Sequence, residues 1–317
     1  MKTDKLIVGM AQIAPIWLLR DHTIEKINTY IAEAARKNCE LLVFSEALLP
    51  GYPFWIERTD GARFESDIQK EIFAWYMSQA ICIEAGDLNP ICQQVAKSGI
   101  NIYLGIIERP ADRGGHSLYC SLVYIHSSGK ILSIHRKLVP TYEERLCWSP
   151  GDGHGLTVHK CGPFTVGGLN CWENWMPLAR TTLYAKGEDL HVAVWPGSAH
   201  NTHDITRFIA RESRSYVISC SGILKRSDIP SAIPLAEYIQ AQSEDLIADG
   251  GSCIAGPDGK WIVEPITEKE QLIIATLDHR MIRRERQNMD QGGHYSRPDV
   301  LKLNINFDRQ GTLNKRS

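Results

Sequence analysis

The stretch Phe164-Thr165-Val166-Gly167-Gly168-Leu169-Asn170-Cys171-Trp172-Glu173-Asn174 decides the fold. Its apolar first half reads as a buried strand, and Pro177 marks the start of a helix soon after it. A strand, a sharp bend and a helix then follow one another, with a thiol at the bend. Such an elbow is a unit of α/β architecture, in which ligands gather beyond the carboxyl ends of strands.

Working outward, the same rhythm continues on both sides. Downstream, 190–195 and 216–221 read as strands flanking a helix around 204–213. Upstream, 6–13 reads as a strand, followed by a helix capped by Thr23 and running to about Lys37. Ile24, Ile27, Ile31 and Ala34 keep helical spacing there. Residues 41–46 form a short strand ending on Glu46. Asn89-Pro90 opens a helix that Gly99 closes, and 100–107 is the next strand. Two hairpins interrupt the alternation, at 117–134 around Ser128-Gly129 and at 252–263 around Asp258-Gly259, which suggests two related halves. Residues 272–277 read as the last core strand, and 223–246 as a surface excursion. The expected fold is α/β, a four-layer α-β-β-α sandwich with two mixed sheets. No linker divides residues 1–317, so a single domain is expected. From about 296 a C-terminal arm carries alternating apolar residues that call for a covering partner.

Bulk properties exclude several classes. The 35 basic and 37 acidic residues leave a net charge of −2, with no like-charge block beyond Arg283–Arg286. A nucleic-acid or membrane-surface partner is therefore not expected. No apolar run approaches the roughly 20 residues of a spanning helix, and the first residues lack the apolar core of a signal peptide. A cytoplasmic location follows as the expectation. The nine cysteines are odd in number and form no CxxC pair, which argues against a disulfide framework or a zinc ribbon. His200 and His203 have metal-compatible spacing but no third ligand nearby, so no metal is expected.

Three reactive side chains stand at strand ends: Glu46, Lys137 and Cys171. A carboxylate can accept a thiol proton, and an ammonium can lower a thiol pKa or steady negative charge. Taken singly, each has an ordinary reading: a solvated strand end, a surface charge and a core cysteine. Spacing alone does not show that they converge.

The surrounding segments supply more. Phe44-Ser45-Glu46-Ala47 precedes Pro50-Gly51-Tyr52-Pro53. His135-Arg136-Lys137-Leu138-Val139-Pro140-Thr141 runs on to Glu144-Arg145 and Gly151-Asp152-Gly153. Gly168 to Asn174 continues into Pro177-Leu178-Ala179-Arg180, and Gly293-His294-Tyr295-Ser296-Arg297-Pro298-Asp299 follows near the C-terminus. In order and in register, these resemble the nitrilase branch of the carbon–nitrogen hydrolase superfamily. Cys-Trp-Glu rather than Cys-Tyr-Asp after the strand favours the nitrilases over the amidases. The resemblance implies Cys171 as nucleophile, Glu46 as general base, Lys137 as cationic stabiliser and Glu144 as a second carboxylate orienting Lys137 or the substrate nitrogen. It implies hydrolysis of an organic nitrile to acid and ammonia, no cofactor, and a homodimer or higher homo-oligomer. Tyr52, Trp172 and Trp195 are candidate substrate contacts, and the backbone N–H of Trp172 a candidate donor to developing charge. Glu173 is expected to be structural. Cys120 stands where the family commonly has Asn, a departure expected to alter local hydrogen bonding without touching the catalytic set. An amidase, a cyanide-hydrating enzyme and a non-catalytic assembly protein on the same fold are the alternatives.

Overall fold

A computed structural model describes residues 4–311. Strands β1 (Lys5–Gln12), β2 (Leu41–Phe44), β3 (Asn101–Glu108), β4 (Tyr119–Ile125) and β5 (Ile131–Arg136) form most of one sheet. The second sheet comprises β6 (Val158–Cys161), β7 (Phe164–Asn170), β8 (Leu190–Trp195), β9 (Tyr216–Ser221), β10 (Ile223–Lys225), β11 (Leu246–Ala255) and β12 (Trp261–Thr267). The last strand, β13 (Gln271–Asp278), returns to the first sheet and pairs antiparallel with β1. Each sheet has three parallel strands at its centre, β1-β2-β3 in one and β7-β8-β9 in the other, with antiparallel strands outside them. The two halves suggested by the paired hairpins therefore share a strand pattern.

Side-chain alternation builds the layers. Leu6, Val8, Met10, Leu41 and Val43 point into the space between the sheets, against Val166, Val192, Val194 and Ile218. Burying each such side chain stabilises the fold by about 1.5–3 kcal/mol before chain entropy is counted. The intervening Leu42 and Phe44 face outward onto α1 (Arg20–Arg36), through Ile24, Ile27 and Ile31. Helices α2 (Trp55–Arg58) and α3 (Asp67–Gln79) follow β2, and α4 (Asn89–Ser98) packs beside α1 through Ile91 and Val95. On the second sheet, α5 (Pro177–Ala185) sets Ala179 and Leu183 on Leu169. Helix α6 (Ala199–Ser213) sets Ile205 and Ile209 on Val217. The result is the expected four-layer α/β sandwich. Short helices α7 (Ala236–Ala241) and α8 (Arg280–Arg286) complete the set.

Two local expectations change. Thr23 does not cap α1; it lies in the first turn, where its hydroxyl accepts from the Ile16 N–H and donates to backbone carbonyls of the preceding loop. Helix α6 begins at Ala199, with Asp249 accepting from the Ala199 N–H, so its first turn is held by a distant segment. Asp249 lies 50 residues away in sequence. Residues 297–311 of the arm form no helix or strand and lie along their own chain. Arg309 and Gln310 bond Asp152, and the Phe307 ring sits 4.1 Å from the Lys186 ammonium. Val300 and Leu301 stay exposed.

Candidate active site

The strands β2, β5 and β7 end at one edge of the sandwich, and the residues just beyond them meet there. Glu46 follows β2 in a loop that crosses β3 at Gly105. A Cβ on Gly105 would lie 2.2 Å from the Ser45 carbonyl and 2.7 Å from the Glu46 Cα, so only glycine admits this approach. We expect Gly105→Ala to lower stability by about 2 kcal/mol or more and to displace Glu46. Unchanged thermal unfolding and unchanged turnover would contradict this. The Glu46 N–H donates to the Trp195 carbonyl across the two sheets at 3.3 Å.

Lys137 leaves β5 with its N–H on the Cys120 carbonyl at 2.8 Å and its side chain 1% exposed. Its ammonium donates to Glu46 Oε1 at 2.9 Å and to both Glu144 oxygens at 3.0 and 2.7 Å. Glu144 is set by a capping box. Its N–H donates to the Thr141 carbonyl at 3.0 Å and its carboxylate accepts from the Thr141 N–H at 2.6 Å. The Tyr52 hydroxyl donates to Glu144 Oε1 at 2.9 Å and approaches Glu143 at 3.3 Å. Of the adjacent glutamates, Glu144 is the buried one and Glu143 lines the adjoining cavity.

Cys171 begins a tight turn directly after β7, with φ at +43°. A non-glycine residue in this region carries about 1–3 kcal/mol of strain, which surrounding bonds must hold. Ligand atoms of Cys171, Glu46 and Glu144 lie within 4.8 Å of one another. That spacing would suit a metal ion, but the Lys137 ammonium already bridges the two carboxylates.

The electrostatics differ from the expected depressed thiol. Burial, reinforced by Glu46 and Glu144, pushes the Cys171 thiol well up; Lys137 and the Trp172 N–H act the other way and are outweighed. The resting group is therefore a thiol that needs a base. Burial also raises the Glu46 carboxyl to about 7, against the lowering influence of Lys137. The carboxylates hold Lys137 protonated despite its burial, with its pKa well above the ordinary value. Glu46 Oε1 accepts from Lys137 and, at 3.5 Å, from the Cys120 thiol, while Oε2 is buried and has no hydrogen-bond partner among the described residues. One carboxylate oxygen anchors; the other is free to take a proton. The departure at Cys120 therefore touches this cluster directly, contrary to the expectation that it would leave the catalytic set alone, because β4 brings residue 120 beside Glu46.

Tyr52 borders a cavity of about 550 Å³, shared with Phe54, Glu57, Glu143, Pro196 and Asn201. Neither Trp172 nor Trp195 lines it. The Trp172 side chain is half-exposed. The Trp195 indole is wholly buried behind Cys171 and donates to Ser219 at 3.3 Å. Glu173 is structural, as expected. It accepts from the Asn170 and Leu138 N–H groups and meets His135 at 3.0 Å, tying β7 to the lysine segment.

A buried carboxylate–lysine–cysteine group thus stands at the strand ends of an α-β-β-α sandwich. The carbon-nitrogen hydrolase family profile matches residues 7–287. The chain is 36% identical over 303 residues to Nitrilase 2 from an unknown prokaryotic organism, spanning 95% of this chain and 92% of that protein. It is 33% identical to the aliphatic nitrilase of Sinorhizobium fredii (strain HH103), covering 98% of each. Its fold is similar to the crystal structure of a carbon–nitrogen hydrolase from Helicobacter pylori G27, with TM-score 0.69 and 19% identity over 93% of this chain and 96% of that one. The chain belongs to the carbon–nitrogen hydrolase family, in its nitrilase branch.

Proposed function

We propose that the protein hydrolyses an organic nitrile to the carboxylic acid and ammonia, with Cys171 as nucleophile. The observation that carries this reading is the Lys137 ammonium held between two buried carboxylates, with the free Glu46 oxygen in the same cluster as the thiol. Glu46 takes the Cys171 proton as sulfur attacks the nitrile carbon, forming a C–S bond while one C–N π bond becomes a nitrogen lone pair. Lys137, oriented by Glu144, stabilises and protonates that nitrogen to give a thioimidate. The proton on Glu46 passes back to Lys137 along their hydrogen bond; the freed carboxylate then activates water, which adds to the same carbon, ammonia departs, and a thioester remains. A second water releases the acid and restores the thiol. Two waters are consumed for each nitrile, and no cofactor is needed. Tyr52, bordering the cavity and bonded to Glu144, is assigned to the substrate side.

A panel of aliphatic, aromatic and arylaceto- nitriles, cyanide and the matching amides, scored for ammonia, tests the reading. Ammonia and acid from a nitrile with little from its amide is the expected result. Efficient amide turnover with no nitrile activity would instead identify an amidase. The pH dependence has a defined sign. Glu46 must be ionised to act as base and its carboxyl is raised to about 7, so kcat/KM should fall as pH drops through about 7. A profile flat down to pH 5 would contradict the assignment.

We further propose that the protein acts as a homo-oligomer in the cytoplasm. Trp175 and Phe208 line an open hollow of about 690 Å³, and Trp172 and Leu178 are exposed nearby in sequence. Among the described residues, no helix is long and apolar enough to cross a membrane. Light scattering on the purified chain reads the assembly state directly.

A further inference from the structure

The bend that presents Cys171 is held from behind by side chains that take no part in the chemistry above. Asn174 is fully buried. Its amide nitrogen donates to the Cys171 carbonyl at 2.8 Å and lies 3.4 Å from the Leu169 carbonyl. Both partners can only accept, so the amide orientation is determined and Oδ1 must face the other way. There it meets His191 Nε2 at 2.8 Å, which must carry the hydrogen. His191 Nδ1 lies 3.0 Å from Glu188 Oε1, so imidazole and carboxyl share one proton on that side. His191 and Glu188 are also wholly buried.

Strand register sets this chain of contacts. His191 on β8 lies opposite Gly167 on β7, and a Cβ on Gly167 would come within 2.4 Å of Glu188 Oε1. The glycine leaves room for Glu188 beneath the elbow. Arg180, on the helix that follows, donates to the Asn174 carbonyl at 2.7 Å and pins its backbone.

We propose that Asn174, aimed by His191 and Glu188, is a positioning residue that clamps the Cys171 carbonyl and so holds the thiol in its left-handed, strained presentation. This rests on Cys171 being the nucleophile. Without the clamp, Cys171 can relax toward ordinary backbone angles, carrying sulfur away from Glu46.

Asn174→Asp is the sharpest test. It keeps the shape and the acceptor toward His191 but replaces the donor to Cys171 with an oxygen. His191→Leu removes the aiming hydrogen bond, whereas His191→Gln keeps a donor near the Nε2 position. In folded protein, kcat on the best nitrile should fall about ten- to a hundredfold in Asn174→Asp and His191→Leu, with KM within about twofold. Iodoacetamide labelling of the Cys171 peptide, read by mass spectrometry, should slow in parallel, and His191→Gln should recover most of both losses. Wild-type kcat and labelling in folded Asn174→Asp and His191→Leu would overturn the clamp. So would His191→Gln behaving like His191→Leu. Turnover retained by Cys171→Ala would overturn the nucleophile and the clamp together; turnover lost there but unchanged in Asn174→Asp overturns the clamp alone.

Discussion

Cys171→Ala is expected to lose turnover by a factor on the order of 10³ or more while the chain stays folded. In the proposed mechanism the sulfur forms and breaks the covalent bond, and among the described residues Cys120 is the other thiol in contact with Glu46. Burial and the Glu46 charge hold the Cys120 thiol protonated, and Glu46 Oε1 already serves as its hydrogen-bond acceptor. The structural cost should be small. Cys171 is 3% exposed and packs beside Ala193 and Trp195, so removing one sulfur leaves a cavity smaller than a Leu→Ala change would. A loss of about 1 kcal/mol is the scale. Turnover by nitrile assay, thermal unfolding and chromatographic size together check this. Activity within tenfold of the wild type would refute covalent catalysis by Cys171.

Lys137→Met should affect both stability and rate. The ammonium is bonded to Glu46 and Glu144, both buried. Removing it leaves two carboxylates in a cavity with no counter-charge, a change that costs about 3–5 kcal/mol when a buried pair is broken. Without the ammonium that lowers it, the Glu46 carboxyl rises further and holds its proton, which removes the base needed to activate the thiol. Turnover should fall on the order of 10³-fold or more, since positioning and charge stabilisation are lost together. Adding Glu144→Gln separates the two effects. With only one buried carboxylate left, the double variant should regain part of the unfolding free energy but no activity. Denaturant unfolding and single-turnover kinetics measure the two quantities. Recovery of activity along with stability in the double variant would show that Lys137 serves folding rather than chemistry.

The layers were legible because alternation is a local property. Leu41-Leu42-Val43-Phe44 states in four letters that both faces of β2 are covered, and Ile24, Ile27 and Ile31 state the same for one face of α1. Helix α3 left no comparable trace. Only Ile72 and Tyr76 are buried along Asp67–Gln79, so its periodicity is too thin to read. Thr23 resembled a cap because its residue type suits one. The loop at Ile16 took its hydroxyl instead, and no local pattern signals that competition. The candidate aromatics were indistinguishable as letters; their neighbours decide that Tyr52 borders the cavity, Trp172 is half-exposed and Trp195 is buried.

By itself, the sequence determined an α/β sandwich, an elbow with a thiol at its bend, and the ordered segments bearing Glu46, Lys137, Glu144 and Cys171. The sandwich and the elbow depend on residue type and near-neighbour spacing; the four side chains were singled out by the resemblance of their segments to the nitrilase branch. Only the tertiary structure decided that the thiol is raised rather than lowered, and that the two Glu46 oxygens have different surroundings. It also placed Asn174, His191 and Glu188 behind the elbow. Charge and hydrogen-bond partnership depend on distance in space, and Glu46 meets a lysine 91 residues away at 2.9 Å. Burial then strengthens that meeting, because little water remains between the groups to screen them.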